Sequence, residues 1–538
     1  MADLHLASVD YIIVGGGTSG LVLAARLSEN PDVQIVVLEA GPDGTSDTRV
    51  LDPTAWRTLP GTDLDWQTKT IPQSGLNNRE TPHPAGKLLG GSSAINGLFW
   101  TPPSPAGIDA WAQLGNSKWT WESLEPYLQK SYSLPAAEGE GAGGPVKISS
   151  TGLFDDSDNN PLTQAWNNVH QEKGYAPVKQ FISESGVGSV GTRPFTATVD
   201  PETGIRSSSD STYGRLAKER KNVRIVTEAT VRKVSFVTEE NGSIRSTGAE
   251  VSIQGSICTV HATKEVILAA GALHTPKILE LSGVGDRARL ENLGIDVVLE
   301  QPHVGEGLQN HILAMLPFGL KENSELATVK PGILAVSFTR VEPTELEEFL
   351  DKHSASTGYE DVTKSLLRRA NEASEFSILG VFPGNAGALV SIPCFPLSRG
   401  SVHISSTNPD HLPTIDGGYF SHDLDIEILA RHVQSSQKLL ASPHFESFVH
   451  PPEVADLEVI KAQLRESVAS PAHHACGTAA MLPREAGGVV DQDLKVYGTT
   501  NLRIVDASVF PLITPANPIS AVYAVAERAA DIVLGKIA

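Results

Sequence analysis

The chain has 538 residues, a length that accommodates two to four structural units. Hydrophobic residues make up 40% and charged residues 20%, a globular composition too apolar for disorder. The formal net charge of −21 repels phosphate backbones and anionic lipid, which argues against nucleic-acid and membrane-surface partners. Three cysteines (Cys258, Cys394 and Cys476) are too few for a disulfide framework.

In chain order, Asp10–Val14 is a short apolar run ending in glycines and reads as a buried strand. The apolar stretch Tyr11–Ala25 is too short to span a bilayer, and Asp3, His5 and Asp10 precede it rather than Lys or Arg. The expectation is therefore a cytoplasmic chain without signal peptide or membrane span. Leu21–Asn30 has helical character with Pro31 as its stop, and Gln34–Leu38 is a second buried strand. A strand–turn–helix–strand unit this compact implies parallel strands in a doubly wound sheet. Ala137–Pro145 is too rich in glycine to pack and reads as a linker. Arg224–Ser235 and Ser243–Ile253 alternate polar and apolar residues around Asn241-Gly242, a hairpin pattern. Lys264–Ala270 is another buried strand, running into Gly271. From Ile312 to Arg465 the pattern is less regular, apart from helix-like pieces such as Asp423–Leu440. Leu502–Val505 and then Pro518–Leu534 return to strand–loop–helix. The fold class is α/β (α+β overall), with nucleotide-binding pieces at the start, middle and end of the chain.

Gly15-Gly16-Gly17-Thr18-Ser19-Gly20 fits G-x-G-x-x-G between a strand and a helix. Such glycines let backbone N–H groups and the positive helix end approach a pyrophosphate. Alone the hexapeptide could be an ordinary turn. Glu39 follows the second strand, however, where a carboxylate can accept hydrogen bonds from ribose hydroxyls and would disfavour a 2′-phosphate. The motif does not separate NAD from FAD. Two further segments bear on that choice: Gly86-Lys87-Leu88-Leu89-Gly90-Gly91-Ser92-Ser93-Ala94-Ile95-Asn96, and Gly271-Ala272-Leu273-His274-Thr275-Pro276 through Gly285.

Together these segments resemble both signature motifs of the glucose–methanol–choline (GMC) oxidoreductase family, and the likeness extends from Asp10 to about Asp531. The resemblance implies FAD extended across a Rossmann-like domain that is interleaved with a substrate-binding domain built on an antiparallel sheet with helices. The FAD-binding parts would be 1–150, 223–311 and 466–538, and the substrate-binding parts 151–222 and 312–465. Gly15, Gly17, Thr18, Ser19 and Gly20 would hold the pyrophosphate, with Glu39 and Ala40 at the adenosine ribose. The loop through Gly90, Gly91, Ser92, Asn96, Gly97 and Leu98 would pass under the isoalloxazine ring, Asn96 and Gly97 near its reactive N5 edge. Small residues suit that loop because only backbone can approach a flat ring closely. Ordinary loop capping is the bland alternative for Ser92 and Asn96. Val231 would contact the adenine through its backbone. Asp506 and Ala507 would bind the pyrophosphate and ribityl part, and Pro518 and Ile519 would border the pyrimidine end.

His473-His474-Ala475-Cys476-Gly477-Thr478 resembles the family's H-x-x-G-T element, whose register makes His474 rather than His473 the catalytic histidine. Asn517 stands at the family's second catalytic position. An imidazole can accept a hydroxyl proton at neutral pH, and an amide can hold the developing alkoxide without competing for that proton. The implied activity is oxidation of a small-molecule alcohol to an aldehyde or ketone, with hydride passing to flavin N5 and electrons to O2 or another acceptor. A lyase or cyclase that keeps FAD as structure and His474 as general acid–base is the alternative. Cys476 reads as a small buried filler against a redox thiol, and His311 as mainly structural. Phe99, Trp100, Phe382 and Phe395 are candidates for pocket lining or core. Histidine spacing offers no metal-ligating motif, and no G-x-S-x-G elbow supports a serine hydrolase. Asn241-Gly242-Ser243 fits a glycosylation sequon but reads as a turn. The oligomeric state is left open.

Overall fold

A computed structural model describes residues 8–134, 143–150, 160–178, 190–353 and 358–537. The linker expected at Ala137–Pro145 lies mostly outside these residues. Two seven-stranded sheets organise the molecule. In the first, β1 (Ser8–Val14) runs into α1 (Thr18–Leu27) and back into β2 (Ile35–Leu38). The sheet continues with β3 (Val223–Val226), β4 (Ala229–Thr238), β5 (Ile244–Ile253) and β6 (Ser256–Leu268). Its order is β3-β2-β1-β6-β5-β4, with the short strand Leu502–Ile504 also on β6. The pairs from β3 through β6 are parallel, while β4, β5 and the first half of β6 form an antiparallel extension. Strands near both ends of the chain thus meet on β6, where Leu268 faces Val14 on one side and Ile504 on the other.

The parallel strands are buried because α1 covers them with an almost wholly apolar surface. The helix ends where Ser28 turns its hydroxyl onto the Ala24 carbonyl (2.6 Å), three residues before the expected Pro31 stop. The alternating run Arg224–Ser235, expected as one strand, is two. Glu228 adopts a left-handed φ of 53° and breaks it, so β3 pairs parallel with β2 whereas β4 pairs antiparallel with β5. From β6 the chain enters α2 (Gly271–Leu281).

The second sheet contains β7 (Ile312–Leu320), β8 (Gly332–Thr339), β9 (Glu375–Phe382) and β10 (Ala386–Pro393). It is antiparallel in the order Val449–His450, β7, β10, β9, β8, Gly191–Pro194, with Ala469–Pro471 also on β7. Helix α3 (Asp423–Leu440) packs on β7 and β10. The irregular reading of this region has a physical cause: β9 and β10 are buried on both faces, so they show no polar–apolar alternation.

The last helix, α4 (Ile519–Val533), returns to α1. Glu527, fully buried on α4, accepts from Arg26 Nε (2.9 Å) and Tyr213 Oη (2.6 Å) and pairs with Lys130 (2.9 Å). Removing one side of such a buried pair typically costs about 3–5 kcal/mol. This clamp holds the C-terminal helix against the N-terminal turn. No helix among the described residues is long and apolar enough to cross a membrane.

Candidate active site

The turn between β1 and α1 is shaped by contacts no side chain would survive. A Cβ on Gly20 would lie 1.9 Å from the Gly15 carbonyl oxygen, and one on Gly91 would lie 2.8 Å from Gly17 Cα. The two glycine loops therefore cross backbone on backbone, joined by Gly90 N–H donating to the Gly16 carbonyl (2.9 Å). Gly17 caps α1 without a side-chain acceptor, which leaves the first-turn amides of Thr18 and Ser19 for an anion.

Glu39 is 6% exposed, and its carboxylate accepts from the Gly16 and Gly41 amides, both at 2.8 Å. Burial outweighs those donors and pushes its carboxyl up to about 7. Its neighbour Ala40 is partly exposed, and the Ala229 amide at the start of β4 donates to the Glu39 carbonyl (2.8 Å). Val231 lies two residues further along, paired with Val251. Asp506 turns its carboxylate to the N-terminus of α2, accepting from Gly271 N–H (2.9 Å) and Thr275 Oγ1 (2.6 Å). What it offers a ligand is therefore backbone. Ala507 follows, its carbonyl accepting from Gly477 (3.1 Å) and so fixing the turn that carries His474.

Two residues 43 positions apart meet here. Asn517 Nδ2 lies 3.0 Å from His474 Nε2. Asn517 is aimed by its backbone: Ala516 before it takes a left-handed φ of 61°, and Pro518 after it leads into Ile519 and α4. His474 is anchored by its own amide donating to Asn310 Oδ1 (2.7 Å). His311, expected to be mainly structural, places its Nδ1 2.8 Å from His474 Nδ1. Its other nitrogen is 3.1 Å from the Cys394 carbonyl.

That carbonyl fixes both tautomers. It can only accept, so His311 presents Nε2–H to it and keeps its lone pair on Nδ1, being held neutral by burial, which lowers its pKa to about 4. The lone pair accepts Nδ1–H of His474. The lone pair of His474 is thereby left on Nε2, where the Asn517 amide donates. Burial, then the neighbouring His311, His473 and His83, keep the His474 imidazole well below its ordinary 6.5, so it is neutral at neutral pH. Asn517 Oδ1 is buried without a protein partner.

His473 instead points its ring at His83 (5.5 Å between centroids) from a left-handed φ of 63°. His83 begins the segment leading to Gly90, and Ser520 of α4 donates to the Thr101 carbonyl (2.6 Å) just past Leu98. The segments flanking the glycine–serine loop thus touch residues close in chain to the histidine–asparagine pair. Cys476 is buried, which pushes its thiol up to about 12, in keeping with a filler rather than a redox group. Phe99, Trp100 and Phe395 are core residues, whereas Phe382 stacks under the Arg57 guanidinium (4.2 Å).

The sequence offered no signal for the segment Arg206–Gly214. In the structure Ser209 Oγ donates to the Thr18 carbonyl (2.9 Å), and its amide donates to Ser93 Oγ (2.9 Å). Arg206 reaches Asn96. Only a run of serines marks this stretch, and such runs are common in loops.

The N- and C-terminal profiles of the GMC oxidoreductases match residues 9–313 and 396–526. This chain belongs to the GMC oxidoreductase family. GMC oxidoreductase family protein Mala s 12 of Malassezia sympodialis is 34% identical, over 99% of this chain and 93% of that protein. An FAD-dependent oxidoreductase from Chaetomium thermophilum superposes with a TM-score of 0.87 at 27% identity, covering 98% of this chain and 99% of the other. A fungal aryl-alcohol oxidase gives 0.83 at 28% identity, covering 98% and 99%. The protein is an FAD-dependent GMC oxidoreductase. Its residues fit that cofactor: the two glycine loops cross backbone on backbone at the start of α1, whose first-turn amides have no side-chain cap.

Proposed function

We propose that this GMC oxidoreductase removes hydride from the CH–OH carbon of a small-molecule alcohol, giving an aldehyde or ketone. Bound FAD supplies the hydride acceptor, and the electrons then go to O2 or another acceptor. The FAD contacts proposed for the dinucleotide turn, Glu39, the Gly90–Leu98 loop, Val231 and the Asp506–Ala507 turn remain those of the sequence reading, within the three FAD-binding parts given there. The observation that carries the reading is the Asn517–His474 contact, with a lone pair fixed on Nε2. A substrate hydroxyl entering between the two would donate its proton to Nε2, while the Asn517 amide donates to its oxygen. His311 keeps the ring in that tautomer throughout, and the buried setting strengthens both hydrogen bonds by excluding water. The kinship with an aryl-alcohol oxidase supports an alcohol donor.

Anaerobic mixing of the yellow protein with a panel of aryl, alkyl and sugar alcohols tests this. The flavin bands should bleach with the right alcohol, and His474→Ala should slow bleaching roughly a thousandfold without loss of bound FAD. Turnover that leaves the flavin spectrum unchanged and consumes no acceptor would instead mark a lyase or cyclase.

A further inference from the structure

Arg206 is 1% exposed, yet no carboxylate lies within ion-pair distance of it among the described residues. Its guanidinium is held by oxygen atoms alone: Nε donates to the Val50 carbonyl (3.0 Å), and Nη1 to the carbonyl and Oδ1 of Asn96, both at 2.8 Å. Nη2 is buried with no partner among the described residues. A guanidinium only donates, and so does the Leu98 amide, which also points at Asn96 Oδ1 (3.1 Å). The atom facing both must therefore be the Asn96 oxygen. Its NH2 is turned the other way and meets no acceptor among the described residues, and Asn96 itself is only half-buried. A buried positive charge with no carboxylate in contact thus holds one oriented amide donor on the loop.

We propose that Arg206 is a positioning residue for the bound flavin. It locks the Asn96 amide with NH2 toward the cavity, and its unpaired charge makes that cavity favour the anionic, reduced cofactor over the neutral oxidised one. This rests on the reading of the Gly90–Leu98 loop as the bed of the flavin. A buried charge with no carboxylate in contact acts over several ångströms, so the bias reaches past Asn96. Asp52 acts on it through space and makes no ion pair with it.

The probe is sulfite, which adds to oxidised flavin and leaves an anionic adduct, titrated on the purified holoprotein alongside the flavin midpoint potential. Arg206→Met should weaken sulfite binding about tenfold or more and lower the potential. Arg206→Lys keeps the charge but cannot bridge Val50 and Asn96. It should hold sulfite affinity within about threefold of wild type while kcat falls. Arg206→Met with unchanged sulfite affinity and potential overturns the proposal. So does Arg206→Lys weakened about tenfold, which decides alone if the methionine variant does not fold. Failure of the underlying reading looks different: wild-type protein without flavin, or His474→Ala bleaching at the wild-type rate.

Discussion

The glycine turn and the proposed catalytic corner are built in opposite ways. The turn is largely local: Gly15 to Gly20, two flanking strands and Glu39 all lie within residues 8–39, and backbone sterics dictate its shape, with Ala269 and Gly91 the close partners from outside. The catalytic corner is assembled from His311, Cys394, His474 and Asn517, each from a different stretch of chain. A local site fails when one Cβ is added. A long-range site fails when one partner is withdrawn, and its failure leaves the cradle intact.

The sharpest break should come at the cradle. Gly20→Val places a side chain where even Cβ meets the Gly15 oxygen at 1.9 Å, so the protein should purify without flavin, as read from its visible spectrum. A yellow Gly20→Val protein would deny that sterics govern the turn. Next is His474→Ala, with kcat/KM down roughly a thousandfold at unchanged FAD content. An equal loss of FAD would mean that the two regions are not separable.

His311→Ala should cost less, about a hundredfold in kcat, because His474 survives but its tautomer is no longer fixed. His311→Gln, whose amide can still accept from His474 Nδ1–H, should recover part of that loss. No difference between the two variants would refute the tautomer argument.

A smaller effect lies in the pH profile. The His474 pKa is depressed, so its proton-accepting form persists below the ordinary 6.5, and the acid limb of kcat/KM should fall below that value. Weaker still is the effect on stability. His83 and His274 are lowered to about 3, and His170 and His311 to about 4, mainly by burial. Between pH 6.5 and 4 the unfolded chain binds protons that the folded one refuses, so stability declines as pH falls through that window. His403, raised by its contacts with Glu280 and Glu306, and the buried carboxyls of Glu39 and Glu372, pushed up to about 7, oppose the trend but are outnumbered by the buried imidazoles. The melting temperature should drop from pH 7 to pH 5; a rise would contradict the buried neutral state of these rings.

How far the sequence reached follows the same division. β1, α1, β2 and the hairpin β4–β5 were legible because hydrophobic period and glycine placement are local properties. The break at Glu228 was not, since it depends on which neighbour each half pairs with. The family resemblance implied the antiparallel second sheet, but periodicity could not place strands such as β9 and β10, which are buried on both faces. His474 and Asn517 could be named by register against Gly477 and Pro518, yet nothing in the sequence says that their side chains meet.

The sequence by itself determined the family and the glycine cradle and singled out His474 and Asn517 as the proposed catalytic residues, because each is written in a short motif whose backbone demands are local. Tertiary structure alone decided that the Cys394 carbonyl would set the lone pair of His474 through His311. It also decided that Arg206 would lie unpaired behind Asn96. Both depend on atoms more than 80 residues apart reaching hydrogen-bond distance, and only the packed chain brings them there.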